Sequence, residues 1–159
     1  MELNAALAWA AGRKVGALIT LRADGRPQSS DVVYALGGTT FQISVTDDRA
    51  KTANMRRDPR VVLHVSDPDS WSYVSFDGTV ELSAPTTSPG DATSDRMVAY
   101  YEAVSGGPHP DWAEYRQAMV DERRLLVTFT PASAVGQGAG DRLMRALIEA
   151  SEARGIWTL

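Results

Sequence analysis

The sequence predicts a mainly β protein: a closed or split antiparallel barrel with helices packed on its outside. Three observations lead there. Strand-like segments dominate the first half of the chain, turns short enough for hairpins join them, and no strand alternates with a helix in the βαβ manner that builds parallel sheets. With 159 residues, 43% of them hydrophobic and 23% charged, the chain has the size and composition of one soluble domain with a single core.

Each element can be justified in order. Residues 2–11 set Leu3, Leu7 and Ala10 on one helical face, and Gly12 closes the turn. KVGALITLR (14–22) is the first strand. The turn ADGRP, centred on Asp24 and Gly25, leads to a second strand, QSSDVVYAL, which is a hairpin signal. Gly37 and Gly38 turn the chain into TFQISVT, where Phe41, Ile43 and Val45 alternate on one side. After Pro59, RVVLHVS is an unbroken apolar run and predicts a strand buried on both faces. WSYVSFDGTVELSA follows as one long bent strand or two, with Gly78 at the kink. A connection rich in proline and serine precedes two helices, SDRMVAYYEAV and PDWAEYRQAMVDE, with Asp111 early in the second; RRLLVTFTP is the last strand.

Between the third and fourth strands lies DRAKTANMRRDPR, residues 48–60. It holds five basic residues (Arg49, Lys51, Arg56, Arg57, Arg60) against Asp48 and Asp58, a balance of +3 in a chain of net charge −4. Thr46, Asp47 or Asp48 can cap a helix here, and Pro59 ends it. Arg49 and Lys51 then fall in the first turn, where free backbone N–H groups already favour a phosphate. A cationic patch on an acidic background attracts a compact anion; the bland alternative is a solvated helix with surface arginines.

Other functions are disfavoured. There is no cysteine, so disulfide and thiolate chemistry are excluded and a cytoplasmic location is the default. His64 and His109 stand far apart, which argues against a zinc site. No apolar run reaches membrane-spanning length, the start lacks the pattern of a secretory signal, and a pI near 5.1 argues against nucleic acid as the main partner. His64, inside an apolar strand, reads as a satisfied structural histidine, and His109 as a loop residue. Tyr100, Tyr101, Trp112 and Tyr115 read as helix packing. No catalytic acid, base or nucleophile is assigned.

Four segments, GRPQSSDVVY, DRAKTANMRRDPR, WSYVSFDGTVEL and DWAEYRQAMVDERRLLVTF, together resemble the pyridoxamine-phosphate-oxidase-like superfamily of FMN-binding split barrels, and its deazaflavin-dependent actinobacterial branch in particular. The likeness covers residues 5–135. It implies a homodimer of six-stranded split barrels with cofactor sites at the interface, and coenzyme F420 as cofactor. The implied activity is an oxidoreductase that transfers a hydride between deazaflavin C5 and a small conjugated organic substrate. By this resemblance Arg49 and Lys51 meet the phosphate and anionic tail, with Thr52 and Asn54 beside them. Gln28 and Ser30 lie near the ring, Trp71 and Tyr73 are aromatic neighbours of the cofactor, and Arg123 and Arg124 form a basic pair. Asp31 stands where close relatives are expected to have Asn. Two alternatives stay open: an FMN-binding flavin reductase or oxidase relative on the same fold, and a non-catalytic flavin-binding or deazaflavin-binding protein.

The remaining stretch, 136–159, reads as an extension. Its glycine-rich turn, Val135 to Gly140, resembles the pyrophosphate-binding turn of acetyltransferases, but Val135 stands where that pattern wants Arg. An amphipathic helix with Leu143, Leu147 and Ala150 on one face follows.

Overall fold

The computed structural model describes residues 1–137 and 142–155. Six antiparallel strands close into a barrel: β1 (Val15–Leu21), β2 (Pro27–Gly37), β3 (Thr40–Thr46), β4 (Arg60–Asp67), β5 (Ser72–Leu82) and β6 (Arg124–Gln137). They follow one another around it as β1-β2-β3-β6-β5-β4. Among the described residues five helices accompany them: α1 (Leu3–Ala10), α2 (Ala50–Arg57), α3 (Ala92–Ser105), α4 (Trp112–Asp121) and α5 (Arg142–Ala153). The mainly β barrel expected from the sequence is the fold observed.

Alternation along the strands fills the interior. Phe41, Ile43 and Val45 of β3 point inward and are buried, as are Leu63 and Val65 of β4, Phe76 of β5, and Leu125, Val127 and Phe129 of β6. Phe41 is the hub, with ring centroids 5.1 Å from Tyr34, 5.0 Å from Phe76 and 5.7 Å from Phe129. The α1 helix adds Ala6, Leu7 and Ala10 to this core. The Tyr34 hydroxyl donates to the Ala10 carbonyl at 2.9 Å, and burial pushes its pKa up to about 12, so it stays a donor.

β4 and β6 depart from expectation. β4 is buried on one face only: Val61, Leu63 and Val65 turn inward, while Val62 and His64 are half-buried on the outside. The apolar run over-reads burial because the barrel's outer face carries apolar side chains too. β5 is one continuous strand, with a register shift at Asp77/Gly78. A Cβ on Gly78 would lie 2.2 Å from the Thr130 carbonyl oxygen, so only glycine lets β6 approach there. β6 also runs on to Gln137, where it pairs with Tyr73. Val135–Gln137 of the glycine-rich turn are therefore strand. Gly138–Gly140 lie outside the described residues, as do the side chain of Leu143 and the apolar end 156–159. Leu147 on α5 is exposed.

The ladder between β2 and β3 is short. β2 pairs with β3 only from Tyr34 to Gly37. Residues 27–33 of β2 pair with β1 alone, and residues 44–46 of β3 pair with β6 alone. The barrel wall is split there, and α2 begins just beyond the end of β3.

Candidate functional site

A cavity of about 700 Å3 occupies the split. One wall is the unpaired part of β2, with Gln28, Ser30 and Asp31. The opposite wall is Ser44–Thr46 of β3 with Arg124 at the start of β6. Arg49, Ala50 and Lys51 close one side, and Tyr100, Tyr101, Tyr115 and Met119 of the α3–α4 hairpin cover the rest.

The start of α2 is built to face this space. None of Thr46, Asp47 and Asp48 caps it. The N-cap is Arg49, whose backbone is extended (φ −78°, ψ 147°) and whose side chain makes no capping bond. Thr46 instead donates its hydroxyl to Asp48 at 2.8 Å, and Asp47 pairs with Arg56 and Arg123. The Arg56 hydrogen bond, joined by the Arg56 and Arg123 charges and the Arg123 hydrogen bond, outweighs desolvation and holds the Asp47 carboxyl below its ordinary range. The first-turn N–H groups thus keep no carboxylate partner, which leaves the positive end of the helix open toward the cavity.

The five basic residues of the stretch separate into two groups. Arg56 is tied to Asp47 and Arg60 to Asp58. Arg57 donates to the Leu21 carbonyl at 2.8 Å and to Asn54 Oδ1 at 2.9 Å. Only Arg49 and Lys51 line the cavity, so the local +3 does not act there as a block. The Arg49 side chain has no hydrogen-bond or ion-pair partner among the described residues. Lys51 donates from Nζ to Ser30 Oγ at 3.2 Å. Burial, then Arg49 and Arg124, push the Lys51 pKa down from 10.5, with Asp31 opposing them. A cation desolvated beside two other cations is what a bound anion would relieve. Arg124 completes the group, its Nη1 3.2 Å from Ser44 Oγ, though its charge is partly offset by Glu122 at 2.6 Å.

The two neighbours expected beside the phosphate have other surroundings. Thr52 is fully buried and donates to the Thr46 carbonyl at 2.7 Å. Asn54 is also buried, and its Nδ2 donates to Thr20 Oγ1 at 3.0 Å and Gln28 Oε1 at 2.9 Å. Neither lines the cavity. Asn54 holds Gln28, which does.

The match to known proteins bears on this geometry. Residues 3–137 match the family model described as pyridoxamine 5'-phosphate oxidase. The chain belongs to this family. Among solved structures, a conserved hypothetical protein from Mycobacterium tuberculosis superposes with a TM-score of 0.69 at 21% identity, over 87% of this chain and 85% of that one. A structure described as an F420 reductase gives 0.56 at 25% identity, over 77% and 89%. A heme-binding protein from Mycobacterium smegmatis gives 0.65 at 25% identity, over 88% of this chain but only 55% of that one.

Within this family fold, Trp71 and Tyr73 stand apart from the cavity of their own chain. Trp71 lies in the turn before β5 with φ 51°, and Tyr73 stacks on His64 at 5.4 Å. His64 Nδ1 is in turn 2.7 Å from Ser75 Oγ, as a satisfied histidine should be. Both aromatics are exposed, with Val15, Val33 and Val135, on the outer face of the barrel. Strand register carries this apolar face from Val33 across Val15 to β4 and β5, and Val33 also borders the cavity. Arg123 is turned away and bound to Asp47; its left-handed backbone (φ 50°) reverses the chain from α4 into β6 and leaves Arg124 facing the cavity.

The tyrosines were hidden in the sequence as packing residues. Tyr100 donates to the Val33 carbonyl and Tyr115 to the Met97 carbonyl, each at 2.9 Å. Burial raises both pKa values, that of Tyr115 to about 12, so both stay protonated at neutral pH. A usable signal was present: Tyr115 and Met119, at i and i+4, share one helix face. Among the described residues no group of three or more His, Cys, Asp or Glu is placed to hold a metal ion, and no helix is long and apolar enough to cross a membrane.

Proposed function

We propose that this chain is an oxidoreductase that holds coenzyme F420 in the split of the barrel and transfers a hydride between it and a small conjugated organic substrate. The observation that carries the reading is the arrangement of Arg49, desolvated Lys51 and Arg124 around one cavity at an uncapped helix start. This donor set fits a phosphate: the Arg49 and Lys51 cations, the N–H groups of Ala50 and Lys51 at the helix start, and the helix dipole. When bound, the deazaflavin ring supplies the hydride chemistry itself. The protein's part is to bind and orient. Arg49 and Lys51 hold the anionic end, Gln28 (fixed by Asn54) and Ser30 present amide and hydroxyl groups to the ring edge, and the tyrosines of the α3–α4 hairpin shield the cavity from water.

The chain acts as a homodimer in this reading. The exposed side chains of Val15, Val33, Tyr73 and Val135 supply apolar surface on the outside of the barrel, and it adjoins the cavity at Val33. Trp71 and Tyr73 then approach the cofactor across the interface rather than within one chain. Isologous pairing of this face makes dimerisation and cofactor affinity fall together when Val15 is replaced by Glu.

A second reading, FMN in the same cavity, is favoured by the charge count. Among the described residues three cations line the site and Glu122 offsets one, which is sufficient for a single phosphate without an anionic tail. The deciding experiment is a fluorescence titration of the purified protein with coenzyme F420 and with FMN at equal salt, followed by an acceptor screen. Saturable binding of F420 with turnover supports the first reading, and preference for FMN the second. F420 binding with no oxidation by any acceptor identifies a carrier, and binding of neither overturns the site.

A further inference from the structure

Beyond the split, a second and smaller hollow of about 220 Å3 lies between α3 and the outer face of β2, β3 and β6. Its floor is apolar, with Ala35, Leu36 and Leu126 from the strands and Ala99 and Ala103 from α3. The small side chains follow from the helix: Arg96, Ala99 and Ala103 fall at i, i+3 and i+7 and so lie on one face of α3. Alanines there leave a trough where larger residues would fill it.

One end of the trough carries a positive charge. Arg96 Nη2 donates to Gln42 Oε1 at 3.1 Å and to Thr128 Oγ1 at 3.0 Å. Both acceptors are neutral and both use the same terminal nitrogen, while Arg96 has no ion-pair partner among the described residues. The nearest acid in sequence, Asp95, is engaged with Arg116 at 2.8 Å. Most arginines around the barrel differ: Arg13, Arg56, Arg60, Arg116, Arg123 and Arg124 each meet a carboxylate. Arg96 is thus a guanidinium held in place through Nη2, with Nε and Nη1 free of partners among the described residues and each able to donate singly to a carboxylate oxygen.

We propose that this trough is a binding site for a small amphipathic carboxylate, its acid on Arg96 and its alkyl part along Ala99, Ala103 and Leu126. The volume is below the roughly 300–1,000 Å3 of sites for drug-sized ligands, so a fragment-sized acid is the matching class. Tyr100 lines both this trough and the larger cavity, and separates them. The two sites are therefore distinct, and the trough does not depend on which cofactor the split holds.

Calorimetric titration of the full chain with octanoate tests this, with octanol and acetate as comparisons and circular dichroism to verify each variant's fold. Saturable octanoate binding is expected, weakened about tenfold by Arg96→Gln through loss of the charged hydrogen bonds. Ala99→Leu, which fills the trough, should abolish it, while Lys51→Ala should leave it unchanged. Acetate and octanol should each bind far more weakly, since each lacks one half of the recognition. Absence of saturable binding overturns the proposal. So does binding that survives Ala99→Leu, or binding lost in Lys51→Ala but retained in Arg96→Gln, which would assign the acid to the larger cavity.

Discussion

Replacing Asn54 by alanine separates support of the site from contact with a ligand. The side chain is only 6% exposed and makes three hydrogen bonds: to Thr20 Oγ1 at 3.0 Å, to Gln28 Oε1 at 2.9 Å, and from Arg57 Nη2 at 2.9 Å. Each such bond contributes about 1 kcal/mol net, and a buried partner left unpaired costs about 1–3 kcal/mol. Water can replace the Arg57 contact at the surface, but it has no access to the fully buried Thr20 hydroxyl. The sum is a loss of about 2–4 kcal/mol, or a Tm lowered by roughly 5–12 °C for a chain of this size. Urea unfolding followed by thermal melting measures it. Anion affinity should fall only modestly, through a looser Gln28. A stability loss under about 0.5 kcal/mol, or a full loss of binding in a protein of normal stability, would refute the assignment of Asn54 as a support.

Lys51→Ala should do the reverse, keeping the fold and weakening F420 or FMN binding, with the difference shrinking as salt rises; a titration series in salt reads it directly. The folded pKa of Lys51 lies below 10.5, so the ligand-free protein gains stability as pH rises through that lowered value toward 10.5. Anion affinity is lost over the same rise, and Lys51→Arg should retain it in an alkaline titration. Arg49→Ser places a good N-cap at a position already extended, so thermal melting should show about 1 kcal/mol of added stability while the anion titration shows weaker binding. Gly78→Ala sets a Cβ against the Thr130 carbonyl and the backbone of Pro131, and should cost about 3 kcal/mol or more or prevent soluble expression. For Asp91, burial acts to raise the pKa but hydrogen bonds from Ser94, Thr87, Thr86 and Ser88 outweigh it and hold it at about 2. Its contribution is full above the ordinary 3.8 and disappears as pH falls through about 2, so acid unfolding of Asp91→Ala should lose that part of the pH dependence.

Much of the barrel was legible because its determinants are local. Asp24–Gly25 and Gly37–Gly38 announce hairpins by turn chemistry, and Phe41, Ile43 and Val45 announce an inward face by alternation. Asp58 before Pro59 is extended, as the proline requires. Burial of β4 on both faces was misread because a run of apolar residues looks the same whether its second face meets a helix or an exposed patch. The caps of α2 were misread for a related reason. Asp47 and Asp48 are good caps by type, but the sequence does not reveal that Arg123, far along the chain, claims one of them. The same blindness hid Thr52 and Asn54, whose polar side chains look like ligand contacts until Thr46, Thr20 and Gln28 are seen to take them.

The cavity itself rests on an absence that no motif encodes: the missing ladder between residues 27–33 of β2 and 44–46 of β3. A split wall exposes backbone groups that must find partners. The α3–α4 hairpin supplies one, as Tyr100 donates to the Val33 carbonyl, and the same hairpin thereby roofs the site. At the start of α2 the opposite choice is made, since the nearby carboxylates are drawn to Thr46, Arg56 and Arg123, and the N–H groups of Ala50 and Lys51 have no acceptor among the described residues. The two choices have one consequence. The split is satisfied where an aromatic wall is needed, and left electrostatically incomplete where an anion would complete it. Removing Arg56 and Arg123 together would free Asp47 to turn toward the helix start, where the chain's own acid would offset part of the charge that makes the cavity attractive to a phosphate.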